Sequence, residues 1–243
     1  MAERAAIVTG GSGGIGLAIA RALGESGYAL TLSSRRPDKL EGAVASLHED
    51  GFELQTVPAD VADEESLAAV FAAHRERYGR LDALCNNAGV GIGGPIDQTQ
   101  TKYLDMQLAV NLRSLIIGTR EGLPLLREAG GEHGKALILN TASIAGKGGQ
   151  AFLSIYGATK AAVINFTQAT ARETVGSGVQ CTALAPGFVD TAMTEFVKSE
   201  VPGEKMIQPA DIGAAVKFLL ALSPNCLVPE IVFNRAGEGP DAP

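Results

Sequence analysis

Tyr156 and Lys160 stand four residues apart in the stretch Tyr156-Gly157-Ala158-Thr159-Lys160. On a helix that spacing puts both side chains on one face. An ammonium held beside a phenol favours the phenolate, so the tyrosine pKa falls. Such a phenol can give or take a proton near neutral pH, as the interconversion of a carbonyl and an alcohol requires. Ser143 follows the apolar run Ala136 to Leu139. It would present a hydroxyl at the C-terminal end of a strand, where open α/β sheets bind their ligands. A tyrosine–lysine pair at this spacing is also ordinary surface decoration, so the reading depends on the elements that position it.

Those elements are legible as an alternation of apolar and helix-period segments. Strands are expected at Ala5–Thr9, Ala29–Ser33, Glu53–Val57, Ala83–Asn86, Ala136–Asn140, Val179–Ala183 and Leu227–Phe233. Several lack polar alternation, as parallel strands covered on both faces do. Helices are expected over Gly14–Ser26, Pro37–Asp50, Asp63–Tyr78, Thr101–Ala129, Ile155–Gly176 and Pro209–Leu222. The pattern predicts a single α/β domain over residues 1–236. Its core would be a Rossmann-type, doubly wound parallel sheet of about seven strands with helices on both faces. Residues 237–243 carry no apolar anchor and are expected to fray.

Three further stretches fall at predicted strand ends. Thr9-Gly10-Gly11-Ser12-Gly13-Gly14-Ile15-Gly16 follows the first strand and opens a helix. Glycines there let the backbone approach a pyrophosphate, and the helix N-terminus offers free N–H groups; a plain tight turn is the alternative. Ser33-Ser34-Arg35-Arg36 ends the second strand without the acidic residue that would receive the ribose hydroxyls of NAD. A small hydroxyl followed by arginine suits a 2′-phosphate, unless the arginines are merely solvated. Asp60 could receive the adenine amino group or, with Asp63, cap a helix. Asn86-Asn87-Ala88-Gly89 reads as a turn small enough for a cofactor to lie across it. Asn111 interrupts an apolar helix face and must find partners. These would be backbone across a helix junction or a water near the site.

Composition narrows the class. The formal charge of −7 and pI near 5.1 argue against a nucleic-acid partner. No uniformly apolar stretch is long enough to predict a transmembrane helix. No signal peptide is read at the N-terminus, and a cytoplasmic location is expected. Cys85, Cys181 and Cys226 are expected as buried, reduced thiols, and His48, His74 and His133 as surface residues. No metal site is predicted.

Together the motifs resemble the short-chain dehydrogenase/reductase family from about Ala5 to Phe233. The family's Thr-Gly-x-x-x-Gly-x-Gly pattern is Thr9, Gly10, Gly14 and Gly16; its Asn-Asn-Ala-Gly element is Asn86 to Gly89. Its catalytic asparagine, serine, tyrosine and lysine match Asn111, Ser143, Tyr156 and Lys160, and its Pro-Gly element matches Pro186-Gly187, followed by Thr191. The resemblance implies a nicotinamide enzyme that moves hydride between cofactor and a carbonyl carbon. Tyr156 would be the acid or base. Lys160 would lower its pKa and bond the nicotinamide ribose, Ser143 would hold the substrate oxygen, and Asn111 would position a relay water. Cofactor contacts are implied at Gly10, Ser12, Gly14, Ile15, Gly16, Ser34, Arg35, Arg36, Asp60, Val61, Asn87, Ala88 and Gly89. They continue at Tyr156, Lys160, Pro186, Gly187, Val189 and Thr191.

NADP(H) is the expected cofactor, with NAD(H) as the alternative. Gly13 stands where many NADP-dependent members carry a basic residue, so the expectation rests on Ser34 and Arg35. The C-terminal stretch lacks the family's Asp-Gly-Gly close, which puts the usual tetramer contact on the last strand in doubt. A homodimer or homotetramer is still expected, with the helices of Asn111 and Tyr156 at an interface. The substrate would be a small, mostly apolar ketone, aldehyde or alcohol. Ile144, Ala145, Gln150, Phe152, Phe188 and Met193 are its candidate contacts. A 3-oxoacyl chain on a carrier protein is an alternative, as is a sensor that binds the dinucleotide without turnover.

Overall fold

The apolar runs pair as their lack of alternation predicts. In the computed structural model, which describes residues 3–237, seven parallel strands form one sheet in the order β3-β2-β1-β4-β5-β6-β7. They are β1 (Ala5–Thr9), β2 (Ala29–Ser33), β3 (Leu54–Thr56), β4 (Ala83–Asn86), β5 (Ala136–Thr141), β6 (Val179–Pro186) and β7 (Glu230–Phe233). The helices are α1 (Gly14–Glu25), α2 (Pro37–Glu49), α3 (Glu64–Tyr78), α4 (Thr101–Leu108), α5 (Ser114–His133), α6 (Ser154–Glu173) and α7 (Pro209–Ala221). Every residue of β1, β2, β4 and β5 is buried. On one face Leu30, Leu32 and Leu184 pack with Ile19 and Leu23 of α1, Leu40 of α2 and Ile212 and Val216 of α7. On the other, Ile7, Leu84 and Ile138 pack with Val70 and Phe71 of α3 and Leu126 of α5.

The chain reverses direction across the sheet between β1 and β4, and open α/β sheets bind ligands at such a switch point. Here the loop after β4 is tied to the loop after β1. The Asn87 side-chain amide donates to the carbonyls of Thr9 (3.2 Å) and Gly10 (3.3 Å), and the backbone N–H groups of Asn87 and Ala88 both donate to the Thr9 hydroxyl (3.1 Å each).

Four expectations need correction. The helix predicted as one piece over Thr101–Ala129 is broken by a π-helical turn, Ala109–Arg113, between α4 and α5. β7 begins at Glu230 rather than Leu227. Cys226 is exposed, while Cys85 and Cys181 are buried. His74 is fully buried, not at the surface. It continues the inward stripe of α3, Leu67, Val70, Phe71 and Tyr78, at helical spacing. Its polar sequence neighbours concealed that period. The tail expected to fray lies, apart from Gly237, outside the described residues.

Candidate active site

The glycine-rich loop leaves β1 with Gly10 at φ 68 and Gly14 at φ 51, where L-residues are strained. A Cβ at Gly16 would overlap the Gly10 carbonyl and the Asn87 side chain, so glycine lets α1 start directly against the strand end. No side chain caps α1, and its first turn holds no acidic residue. Its leading N–H groups are therefore free to meet an anion. Ser12 and Ile15 are half-buried in this turn. Thr191, at the base of the segment after β6, lies over the loop: a Cβ at Gly14 would meet its Cγ2 at 2.9 Å.

At the end of β2, Ser34 is buried while Arg35 and Arg36 are exposed. Asp60 is exposed, and its carboxylate accepts the Ala62 N–H at 3.0 Å; the helix cap is Asp63, which accepts from Ser66 N–H at 2.7 Å. Val61 is buried in the core. After β6, the Gly187 N–H donates to Phe233 of β7 (2.9 Å), and Val189 is buried and bridges to Ile207.

Lys160 is buried on α6, and its Nζ donates to the Thr141 carbonyl at the end of β5 (2.7 Å). Burial disfavours its ammonium and lowers its pKa to about 8. Nζ lies 5.7 Å from the centroid of the Tyr156 ring. Burial raises the Tyr156 pKa above the ordinary phenol value, and the hydrogen-bonded Ser143 hydroxyl opposes that rise. The depressed phenol expected from the lysine neighbour is therefore not a property of the protein alone.

Ser143 reaches this place through a turn. Its Oγ donates to the Pro186 carbonyl (3.3 Å) and accepts the Ala145 N–H (3.2 Å), starting a short 3₁₀ turn, Ile144–Gly146. That turn sits directly on α6. A Cβ at Gly157 would lie 2.7 Å from the Ala145 carbonyl oxygen, and one at Gly146 would lie 2.6 Å from the Lys160 carbonyl carbon. Neither glycine was singled out from the sequence. Gly157 offered a signal, since a glycine inside a helix often marks close packing.

Asn111 falls in the π-helical turn, a feature that recurs at functional sites. Its amide makes three bonds: Oδ1 accepts Val90 N–H (2.8 Å), and Nδ2 donates to the Val90 carbonyl (2.9 Å) and Thr159 hydroxyl (3.1 Å). Gly89 lies between it and the lysine, its Cβ position 3.5 Å from both Asn111 Oδ1 and Lys160 Nζ.

The candidate substrate contacts divide. Met193 faces the Tyr156 ring across Gly91, whose Cβ position is 3.8 Å from the sulfur and 3.7 Å from the ring edge. Ile144 packs towards Gly187, and Phe188 and Gln150 are half-buried. Phe152 is exposed, and Ala145 is buried beneath the turn. Among the described residues no three His, Cys, Asp or Glu side chains converge as a metal site would need. No helix there is long and apolar enough to cross a membrane.

The fold recurs in known proteins. The chain is 33% identical over 234 residues to an uncharacterized oxidoreductase of Staphylococcus aureus, covering 96% of this chain and 98% of that one. An alcohol dehydrogenase from Thermococcus sibiricus, solved with 5-hydroxy-NADP, superposes with a TM-score of 0.88 at 31% identity, over 98% of this chain and 99% of its own. A variant of actinorhodin polyketide ketoreductase with NADPH gives 0.85 at 30% identity, over 94% and 95%. Residues 4–202 match the short chain dehydrogenase family, and with the relatives just described they show that this protein is a member of it, an oxidoreductase with the family's Rossmann-like sheet.

Proposed function

We propose that the protein interconverts a carbonyl compound and its alcohol with NADP(H), using Tyr156 as the proton donor and acceptor. The observation that carries this reading is the buried Lys160 ammonium beside the Tyr156 ring, with the Ser143 hydroxyl on the same phenol. The loop residues fit a dinucleotide: a Cβ-free cradle at Gly10 and Gly16, an uncapped helix start, and Ser34 with Arg35 where a 2′-phosphate would need donors. When bound, the nicotinamide supplies the hydride.

The chain's own residues do the rest. Ser143 donates to the carbonyl oxygen as negative charge gathers there. Tyr156 Oη gives that oxygen its proton in reduction and takes it back in oxidation. Lys160 stabilises the phenolate left behind by its charge. Both Asn111 donors and one acceptor site are engaged with Val90 and Thr159, so we assign it first to holding the β4–α4 loop against α6. Any water it positions would share its Oδ1.

The test is cofactor oxidation by wild type and Tyr156→Phe across a panel of ketones and aldehydes. The variant should bind cofactor and lose about a hundredfold to ten-thousandfold in kcat. Wild-type protein that binds cofactor and reduces nothing in the panel would leave a dinucleotide sensor. We also propose a homo-oligomer built on the helices of Asn111 and Tyr156, because Leu108 and Ile116 stand exposed on α4 and α5. Sedimentation should show a dimer or tetramer that Ile116→Glu weakens; a monomer at all concentrations would end that proposal.

A further inference from the structure

Beside the reacting centre lies a cleft of about 230 Å³ whose far wall is made by α4. One side, Ser154 and Ile155, immediately precedes Tyr156 on α6. The other, Ile92 to Pro95, follows Gly91, which packs at the edge of the Tyr156 ring. Gln98, Thr99 and Tyr103 add an amide and two hydroxyls, and no ionised side chain lines the cleft.

Gln107 of α4 also lines this cleft and is only 1% exposed. Its Oε1 accepts the Ile92 N–H at 3.2 Å, which fixes the orientation of the amide. Its Nε2 is thereby turned away from that bond, and it donates to no protein atom among the described residues. That donor is not among the fully enclosed unpartnered polar atoms, so it keeps an opening, and the cleft that Gln107 lines can bring it a partner. Across the cleft Phe152 sits at φ 66, the left-handed region that non-glycine residues rarely adopt, with its ring exposed. Its carbonyl accepts the Gly94 N–H at 2.8 Å, closing the two walls on each other. Strain of this kind clusters at ligand clamps.

We propose that this cleft receives the arm of the substrate away from the reacting carbonyl, and that Gln107 Nε2 donates to an uncharged oxygen on that arm. The substrate class is then a neutral ketone carrying a second oxygen acceptor, an ether, hydroxyl or carbonyl. A carboxylate or phosphate arm would meet no cation in the cleft. The inference rests on the oxidoreductase reading for the identity of the reacting group. Its own content is the recognition of the arm.

The test uses methyl ketones whose arms end in a methoxy group, compared with the all-carbon ketones of equal length and with the same arms ended in carboxylate. Two quantities are read: kcat/KM with NADPH, and binding to the protein–NADP⁺ complex by saturation-transfer NMR. Gln107→Glu keeps the acceptor for Ile92 N–H but removes the donor. Gln107→Met removes the donor without adding charge, should the carboxylate disturb folding. At the best arm length wild type should favour the methoxy ketone about tenfold, the weight of one hydrogen bond. Carboxylate arms should be rejected, and the methoxy preference should vanish in both variants.

No methoxy preference at any length, or one that survives in both variants, overturns the inference. Ketones turned over without the preference leave the oxidoreductase reading intact while this one falls. A binding preference lost in the variants, without turnover of any ketone, does the reverse.

Discussion

Arg35 and Arg36 lie exposed beside the buried Ser34 at the end of β2, and cofactor choice is decided by side chains of this size. A 2′-phosphate held by a guanidinium gains charge-assisted hydrogen bonds that a ribose hydroxyl does not need. Arg35→Ala should therefore weaken NADPH by about tenfold to a hundredfold and leave NADH nearly unchanged, as read by titration calorimetry. Equal loss for both cofactors, or NADH preference in wild type, would refute the assignment. At this scale the residue types at Tyr156, Lys160 and Ser143 were legible from order and spacing. Their ionisation was not. Spacing predicts that the lysine lowers the tyrosine pKa, whereas burial dominates both groups, raising one and lowering the other.

At the scale of elements, α6 and the turn after β5 approach backbone to backbone because Gly146 and Gly157 carry no side chains. Gly157→Ala isolates this contact. Helix propensity alone would make the variant more stable by about 0.5–1 kcal/mol. Its Cβ would nevertheless stand 2.7 Å from the Ala145 carbonyl oxygen and push away the turn that carries Ser143. We expect kcat to fall by about tenfold to a hundredfold, with cofactor affinity kept. Full activity would show that the turn yields without moving the serine. Lys135 illustrates the same scale away from the site. Its Nζ donates to the carbonyls of Leu219 (2.6 Å) and Leu222 (2.7 Å), closing the C-terminus of α7 with a cation.

Across the whole molecule, His74 ties α3 to the sheet through a buried chain of polar contacts. Gln55 donates to the Thr31 hydroxyl of β2 (2.8 Å), Thr31 meets His74 Nδ1 (2.7 Å), and His74 Nε2 meets the Arg80 carbonyl (2.8 Å). The carbonyl can only accept, so Nε2 carries the proton of the neutral ring. Burial lowers the His74 pKa to about 4. Between that value and the unperturbed one near 6.5, the unfolded chain binds the proton and the folded chain does not. Stability therefore falls as pH falls through this window. Urea midpoints should show a loss of about 2 kcal/mol between about pH 7 and about pH 5. His74→Gln should remove that slope. An unchanged slope in the variant would place the acid sensitivity elsewhere.

The sequence by itself determined the seven strands, their alternation with helices, the glycine loop and the candidate catalytic residues, because each is written in local periodicity or at a strand end. Tertiary structure alone decided the strand order that ties Asn87 to Thr9 and the π-helical turn that spends the Asn111 amide on Val90. It also decided the burial of His74 and the orientation of the Gln107 amide, whose Oε1 accepts the Ile92 N–H. Each of these depends on which surfaces meet once the sheet is wound, and residues far apart in the chain carry no local record of that meeting.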